Sequence, residues 1–347
     1  MLRLPRFRFV SPPSIEEAIH IRTEHPATSM YVAGGTDVYP KMKRRQFQPE
    51  VVIAIGGLVR DDFRAGTLAP LADTLPSVAE EGPLPLGPLP LGLRIGAGAT
   101  LTEVAEHPRV REGYRALSIA AGLVSTPQLR NMGTIGGNVC LDTRCNWYDQ
   151  SLFWRTAEGY CMKTHGDVVC RVATSSPRCL AVASADTVPA LIALGAQINV
   201  VGPNGARTID LAECYREDGI NYLALEPGEI VTEIVLPPSD GWRSTYLKQR
   251  DRNSFDFPIA GVAAAVRMDR GVVTDARVAI TALGSRPVRV DASALVGTKL
   301  DDEAIGAVAD ATHKAARPMD NTSGTISQRK RAARVFADRA LRSLRDD

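Results

Sequence analysis

Charge of one sign is the first thing this 347-residue chain lacks. Its 41 Lys and Arg residues face 39 Asp and Glu, so no overall field favours nucleic acid. Long apolar runs are missing too. Stretches such as 259–266 are far too short to span a bilayer, and Met1-Leu2-Arg3-Leu4-Pro5-Arg6-Phe7 holds no signal-peptide core. A cytoplasmic protein without a membrane partner is the expectation. No Gly-Lys dipeptide occurs, which excludes a Walker A loop, and Gly96-Ala97-Gly98 lacks the third glycine of a dinucleotide fingerprint. No Cys-x-x-Cys pair occurs, which weakens a structural zinc knuckle. No internal repeat of about 20–50 residues is visible. What remains, 44% hydrophobic and 23% charged, is ordinary globular composition, long enough for two or three domains.

Cysteine is few but concentrated. Five of the six, Cys140, Cys145, Cys161, Cys170 and Cys179, fall within 40 residues, directly after Gly133-Thr134-Ile135-Gly136-Gly137-Asn138. In a reducing compartment they read as ligands or packing residues rather than disulfides. From Cys145 the steps are 16, 9 and 9 residues. Four thiolates on one irregular segment can hold a [4Fe–4S] cluster. A zinc site and reduced structural thiols are the alternatives. Such a cluster carries negative charge, and Arg144, Arg155, Lys163, Arg171 and Arg178 supply cations. Trp147, Tyr148, Phe153, Trp154 and Tyr160 would shield it from solvent. Cys140, in the glycine turn, and the isolated Cys214 read as packing residues.

Two glycine turns follow apolar stretches: Ala33-Gly34-Gly35-Thr36-Asp37 and 133–138. Paired glycines let the backbone approach an anion, and successive N–H groups can point at phosphate oxygens. Around them the chain alternates helix and strand. Ser14 with Glu17 and Thr100 with Glu103 read as capping boxes. Helices are expected at 38–45, 113–124, 190–194, 302–316 and 327–344. Strands are expected at 29–32, 51–55, 93–97, 197–201, 229–236, 245–249, 259–268 and 272–283. The stretch 60–92, rich in Pro and Leu, reads as an irregular insertion. The last helix is basic outside (Arg331, Arg334, Arg342, Arg345) and apolar inside (Val335, Leu341, Leu344). The order is α+β, ending in an antiparallel meander followed by helices.

These motifs together carry a resemblance. Ala33-Gly34-Gly35-Thr36-Asp37 and Thr134-Ile135-Gly136-Gly137-Asn138 resemble the two flavin motifs of the xanthine dehydrogenase and CO dehydrogenase flavoprotein subunits. Ser184-Ala185-Asp186 with Pro189-Ala190-Leu191 resembles that family's third flavin segment. Lys248, Arg250 and Asp256-Phe257-Pro258 resemble the start of its C-terminal domain. The resemblance implies a two-subdomain FAD-binding fold (1–57 and 58–238) and a C-terminal flavoprotein domain (239–347). It implies FAD on the two turns, Asp186 on the ribityl chain or ring, Lys248 near the isoalloxazine, and no catalytic residue in this chain. The usual subunit has no cluster loop. Asp142-Thr143-Arg144-Cys145, Gly159-Tyr160-Cys161 and Arg178-Cys179, in a loop at 140–180, resemble the β subunits of the 4-hydroxybenzoyl-CoA reductases. That implies Cys145, Cys161, Cys170 and Cys179 as ligands of a [4Fe–4S] cluster, with Cys140 excluded. It further implies a molybdopterin-binding large subunit, a small subunit with [2Fe–2S] centres, an (αβγ)2 assembly and ferredoxin as electron donor. A hydroxylase with reversed electron flow and a zinc-stabilised, non-enzymatic binding protein are the rival readings.

Overall fold

The computed structural model describes residues 3–60, 63–65 and 92–346. The chain builds three sheets in order. The first is parallel, with strand order β1-β3-β2. Its elements are β1 (Arg8–Val10), α1 (Ile15–Glu24), β2 (Ser29–Val32), α2 (Val38–Lys43) and β3 (Val51–Ala54). Helices return the chain between strands, which is what parallel pairing requires. Ser14 caps α1 by accepting from the Glu17 N–H at 3.2 Å. Of the expected capping box only this serine half is formed, the reciprocal Glu17 bond being absent.

The second sheet is antiparallel, in the order β4-β5-β8-β6-β7. Its strands are β4 (Arg64–Ala65), β5 (Leu93–Gly96), β6 (Gln197–Gly202), β7 (Gly205–Asp210) and β8 (Ile230–Leu236). Of the stretch expected to be irregular, 66–91 lies outside the described residues, while Arg64–Ala65 pairs with β5 as a short edge strand. Between β5 and β6 come seven helices. They are α3 (Leu101–Glu106), α4 (Pro108–Gly113), α5 (Arg115–Gly122), α6 (Pro127–Arg130), α7 (Ile135–Val139), α8 (Leu152–Ala157) and α9 (Thr187–Leu194). Thr100 and Glu103 form a complete capping box on α3. The helix expected at 113–124 is α5, which starts after Tyr114 at φ −132°, and the separate α4 precedes it.

Helix α9 is central. Every residue from Thr187 to Leu194 is buried, as an all-apolar helix demands. Burying Val188, Leu191, Ile192 and Leu194 contributes roughly 1.5–3 kcal/mol each. Gly195, at φ +75°, ends it in the left-handed cap that glycine adopts without strain.

The third sheet, β12-β11-β10-β9, is antiparallel. It comprises β9 (Trp242–Gln249), β10 (Ala260–Asp269), β11 (Val272–Thr281) and β12 (Val288–Val290), and carries α10 (Asp302–Ala315) and α11 (Ile326–Asp346). Strand β10 shows why this sheet is an inner layer. Ala263 and Ala265 join the core shared with α9, whereas Ala260, Val262, Ala264 and Val266 join the core under α10 and α11. On α11, Leu341 and Leu344 point inward and are wholly buried. No helix among the described residues is long and apolar enough to cross a membrane.

Candidate functional site

The two glycine turns meet. A Cβ on Gly34 would lie 1.8 Å from the Met132 carbonyl oxygen, and one on Gly133 would lie 3.3 Å from Thr36 Oγ1. A Cβ on Gly136 would lie 2.7 Å from that of Ala97, just past β5. Gly34 and Gly136 are therefore required by backbone packing, whatever approaches the turns from outside. The turns differ in what they offer a ligand. In the second, the N–H groups of Ile135 and Gly136 donate to the carbonyls of Ala99 and Ala97, both at 2.9 Å. That of Gly137 donates to Thr134 Oγ1 at 3.1 Å. In the first, the N–H groups of Gly34, Gly35, Thr36 and Asp37 have no acceptor among the described residues. Four adjacent, unsatisfied donors on a half-exposed turn suit a pyrophosphate.

Other expected contacts have partners within the protein. Ile135 is buried in the core. Asn138 Oδ1 accepts from the Thr187 N–H at 3.2 Å and its hydroxyl at 2.6 Å, tying α7 to the start of α9. Asp37 pairs with Arg144 at 3.1 Å and lies 3.4 Å from Lys41. Asp186 is buried, its two oxygens taken by the Tyr246 hydroxyl at 2.8 Å and Lys248 Nζ at 2.9 Å. Burial pushes the Asp186 carboxyl up from its ordinary value, against the pull of Lys248. Lys248 also donates to the Leu123 carbonyl at 3.0 Å. The expected pair of flavin-facing side chains is thus a closed, buried ion pair between α9 and β9.

The four cysteines come together. Cys145, Cys161, Cys170 and Cys179 are all buried and line one small cavity of about 10 Å³, with Tyr148, Lys163 and Ala181 in its wall. Cys140 and Cys214 lie elsewhere, against the main core, and all six thiols are free. Cys179 Sγ accepts from the Ala181 N–H at 3.5 Å, and Cys161 Sγ from the Thr164 hydroxyl at 3.7 Å. Bonds of this kind stabilise thiolate sulfur. With nothing bound, burial pushes the Cys145 thiol up to about 12 and the Cys179 thiol up to about 11, so a metal must displace protons here. Among the described residues no three His, Cys, Asp or Glu side chains are grouped to hold one metal ion. Four thiolates are the donor number of a [4Fe–4S] centre and also of a four-cysteine zinc site.

The surroundings differ from expectation in two respects. Of the five cations, Lys163 and Arg171 border the cavity. Arg144 turns to Asp37 and Asp149, Arg178 to Glu217, and Arg155 to the carbonyls of Gln150, Arg44 and Arg45. Of the five aromatics, Trp147 and Tyr148 line the cavity, Tyr160 stacks on His165, and Phe153 and Trp154 face solvent at 78% and 55% exposure. Sequence reasoning missed Lys41. It is wholly buried on α2, with its Nζ 2.5 Å from Asp142 Oδ2. Its closer partner is 101 residues away, and Asp37, four residues before it at 3.4 Å, reads in the sequence as an ordinary helix-surface pair.

Comparison with known proteins fits this geometry. Residues 90–239 match the FAD binding domain in molybdopterin dehydrogenase, and 245–344 match the CO dehydrogenase flavoprotein C-terminal domain. The aldehyde oxidoreductase FAD-binding subunit PaoB of Escherichia coli is 31% identical over 89% of this chain and 90% of its own. The chain belongs to this family of FAD-binding subunits. A second relative of this flavoprotein, the carbon monoxide dehydrogenase medium chain of Hydrogenophaga pseudoflava, is 27% identical over 97% of this chain and 96% of its own. A solved structure of carbon monoxide dehydrogenase from the same organism, lacking the Mo-pyranopterin moiety, superposes with a TM-score of 0.76. It covers 99% of both chains at 26% identity. The similarity carries the flavin.

Proposed function

We propose that this flavoprotein is an electron-transfer subunit carrying FAD and a [4Fe–4S] cluster in a molybdenum enzyme of the 4-hydroxybenzoyl-CoA reductase type. Its partners would be a molybdopterin-binding large subunit and a small subunit with [2Fe–2S] centres, joined as (αβγ)2. Reduced ferredoxin would be the donor, and reductive removal of the phenolic hydroxyl of 4-hydroxybenzoyl-CoA would take place in the large subunit. One observation carries the reading: four buried cysteines from a single segment line one cavity, while the two other cysteines do not. The division into residues 1–57, 58–238 and 239–347 belongs to the same proposal and is supported by the three separate sheets.

The first glycine turn would hold the FAD pyrophosphate through the N–H groups of Gly34, Gly35, Thr36 and Asp37. The second turn would set the first in place by contact. Asp186 and Lys248 would fix the position of α9 against β9. Cys145, Cys161, Cys170 and Cys179 would each supply one thiolate, and Tyr148 and Ala181 keep the cavity dry. When bound, the two cofactors would supply one-electron transfer and its coupling to two-electron chemistry.

A second reading is a hydroxylase subunit with FAD alone; one relative is named an aldehyde oxidoreductase FAD-binding subunit and another a carbon monoxide dehydrogenase medium chain. Iron content separates the two. The chain is purified anaerobically with its partners, and FAD, iron and acid-labile sulfide are counted on the separated subunit. About one FAD and four iron are expected. Cys161→Ser should lose the iron and keep FAD, whereas Cys214→Ser should change neither. FAD without iron in the parent protein would leave the hydroxylase subunit as the better reading.

A further inference from the structure

Three buried charges join the first glycine turn to the wall of the four-thiol cavity. Lys41 reaches from α2 to Asp142 Oδ2 at 2.5 Å, and Lys163 reaches Asp142 Oδ1 at 2.6 Å. The side chains of Lys41, Asp142 and Lys163 are 0%, 9% and 7% exposed. One carboxylate thus serves two ammonium groups. The ring of Tyr148, which also lines the cavity, lies beneath both, 5.3 Å from Lys41 Nζ and 4.7 Å from Lys163 Nζ.

Lys163 is held in place by its hydrogen bonds. Its three protons have acceptors in Asp142 Oδ1, the Gly219 carbonyl at 2.7 Å, and Thr143 Oγ1. The Thr143 hydroxyl donates its own proton to Gly219 O at 2.5 Å, so its oxygen is left to accept. Gly219 closes against the sulfur wall, for a Cβ there would lie 2.8 Å from Cys179 Sγ. Lys163 therefore cannot swing away from the thiols without breaking three hydrogen bonds.

The surrounding charges do not balance. Asp37 is already paired with Arg144, which also meets Asp149 at 3.4 Å. Arg155 and Arg171 find carbonyl oxygens rather than carboxylates. Among the described residues the buried or nearly buried cations Lys41, Lys163, Arg144 and Arg155 meet three carboxylates, Asp37, Asp142 and Asp149, while Arg171 is exposed. A buried excess of positive charge costs several kcal/mol unless a counter-charge lies close by. Four thiolates around an iron–sulfur core would be that counter-charge.

We propose that Lys163, fixed by Asp142 and reinforced by Lys41, sets the reduction potential of the centre held by the four cysteines. This rests on the reading that Cys145, Cys161, Cys170 and Cys179 hold a [4Fe–4S] cluster. Reduction adds one electron, supplied by a one-electron donor protein in the enzyme or by dithionite in a titration. No bond to a thiolate breaks, and Lys163 gives up no proton. A fixed ammonium in a low-dielectric wall favours the more negative, reduced state and so raises the potential.

The test is a dithionite titration of the purified complex, followed by the electron paramagnetic resonance signal of the reduced cluster, with iron counted on the same samples. Lys163→Gln should keep its iron and move to a more negative potential. The expected shift is about 59 mV or more, a tenfold change in the one-electron equilibrium. Lys163→Arg should restore most of it. Lys41→Gln, remote from the ligands, should move the potential in the same direction by less, and decides the matter if Lys163→Gln loses iron. Exposed Lys314→Gln should leave it unmoved. Iron-replete Lys163→Gln or Lys41→Gln at the parent potential would overturn this inference alone. A parent without iron would overturn the cluster reading and this inference with it.

Discussion

Gly34 looks, in the sequence, like a residue kept small for a ligand. In the fold it is kept small for the other turn, with the Met132 carbonyl where a methyl group would sit. Both atoms belong to backbone, so neither can rotate away. Gly34→Ala should destabilise the protein by about 1–3 kcal/mol, the usual cost of overpacking. It should also lower FAD occupancy, because the two turns must part. Gly57→Ala, with nothing within 4 Å of the added carbon, should fall within about 0.5 kcal/mol of the parent. Urea unfolding and flavin absorbance on both variants check this. Equal stability of the two would mean that the turns do not bear on each other. The two turns were legible from Gly-Gly pairs beside Thr and Asn. The separate reason for each glycine was not, since it depends on Met132 and Ala97, which carry no signal of their own. Lys41 was invisible for the same reason: a lysine on a short helix reads as solvated until its partner is placed.

At the scale of elements, spacing left the segment from Cys145 to Cys179 open between a cluster, zinc and reduced thiols, and the resemblance implied its four ligands; in the fold those four line one cavity. Its walls were not legible, because cations and aromatics near a cysteine in sequence can face either way from an irregular loop. Phe153 and Trp154, on helix α8, face outward. Distant residues hold the segment instead. Asn321, in the loop between α10 and α11, accepts from the Asn146 N–H at 2.8 Å through its own carbonyl. Its side-chain Nδ2 donates to the Leu180 carbonyl at 2.6 Å. It thereby clamps the residues that follow Cys145 and Cys179. Asn321→Ala leaves the backbone bond and removes the side-chain one, freeing Leu180 O within the protein. A loss of about 1 kcal/mol is expected, the low end of the range for an orphaned carbonyl, because Asn321 Oδ1 is itself buried without a partner. The sharper readout is iron loss to a chelator, which should be faster in the variant. Release at the parent's rate would mean that Asn321 does not secure the cluster segment.

At the scale of the whole molecule, a buried ion pair is among the contacts that join the two regions matched by the flavoprotein families. Asp186 opens α9 in the first, and Tyr246 and Lys248 lie on β9 in the second. The antiparallel meander and helices that end the chain could be inferred from the sequence, but this junction could not, since Asp186 and Lys248 each resembled a flavin contact. Removing one partner of such a pair leaves a charge stranded, and Lys248→Met should cost roughly 3–5 kcal/mol near neutral pH. The cost should depend on pH in a definite direction. Burial already holds the Asp186 carboxyl above its ordinary value, and without the nearby ammonium it must rise further. A carboxyl raised in the folded state binds its proton more tightly there than in the unfolded chain. Its contribution is fully present below the ordinary carboxylate pKa of about 4 and is lost as pH climbs through the folded value. Between those limits each pH unit removes about 1.4 kcal/mol. Urea unfolding of Lys248→Met should therefore show a larger deficit at pH 8 than at pH 5. Adding Asp186→Asn should abolish the difference, because the amide carries no charge to strand. Equal deficits at both pH values would show that Lys248 acts through its bond to Leu123 rather than by balancing Asp186.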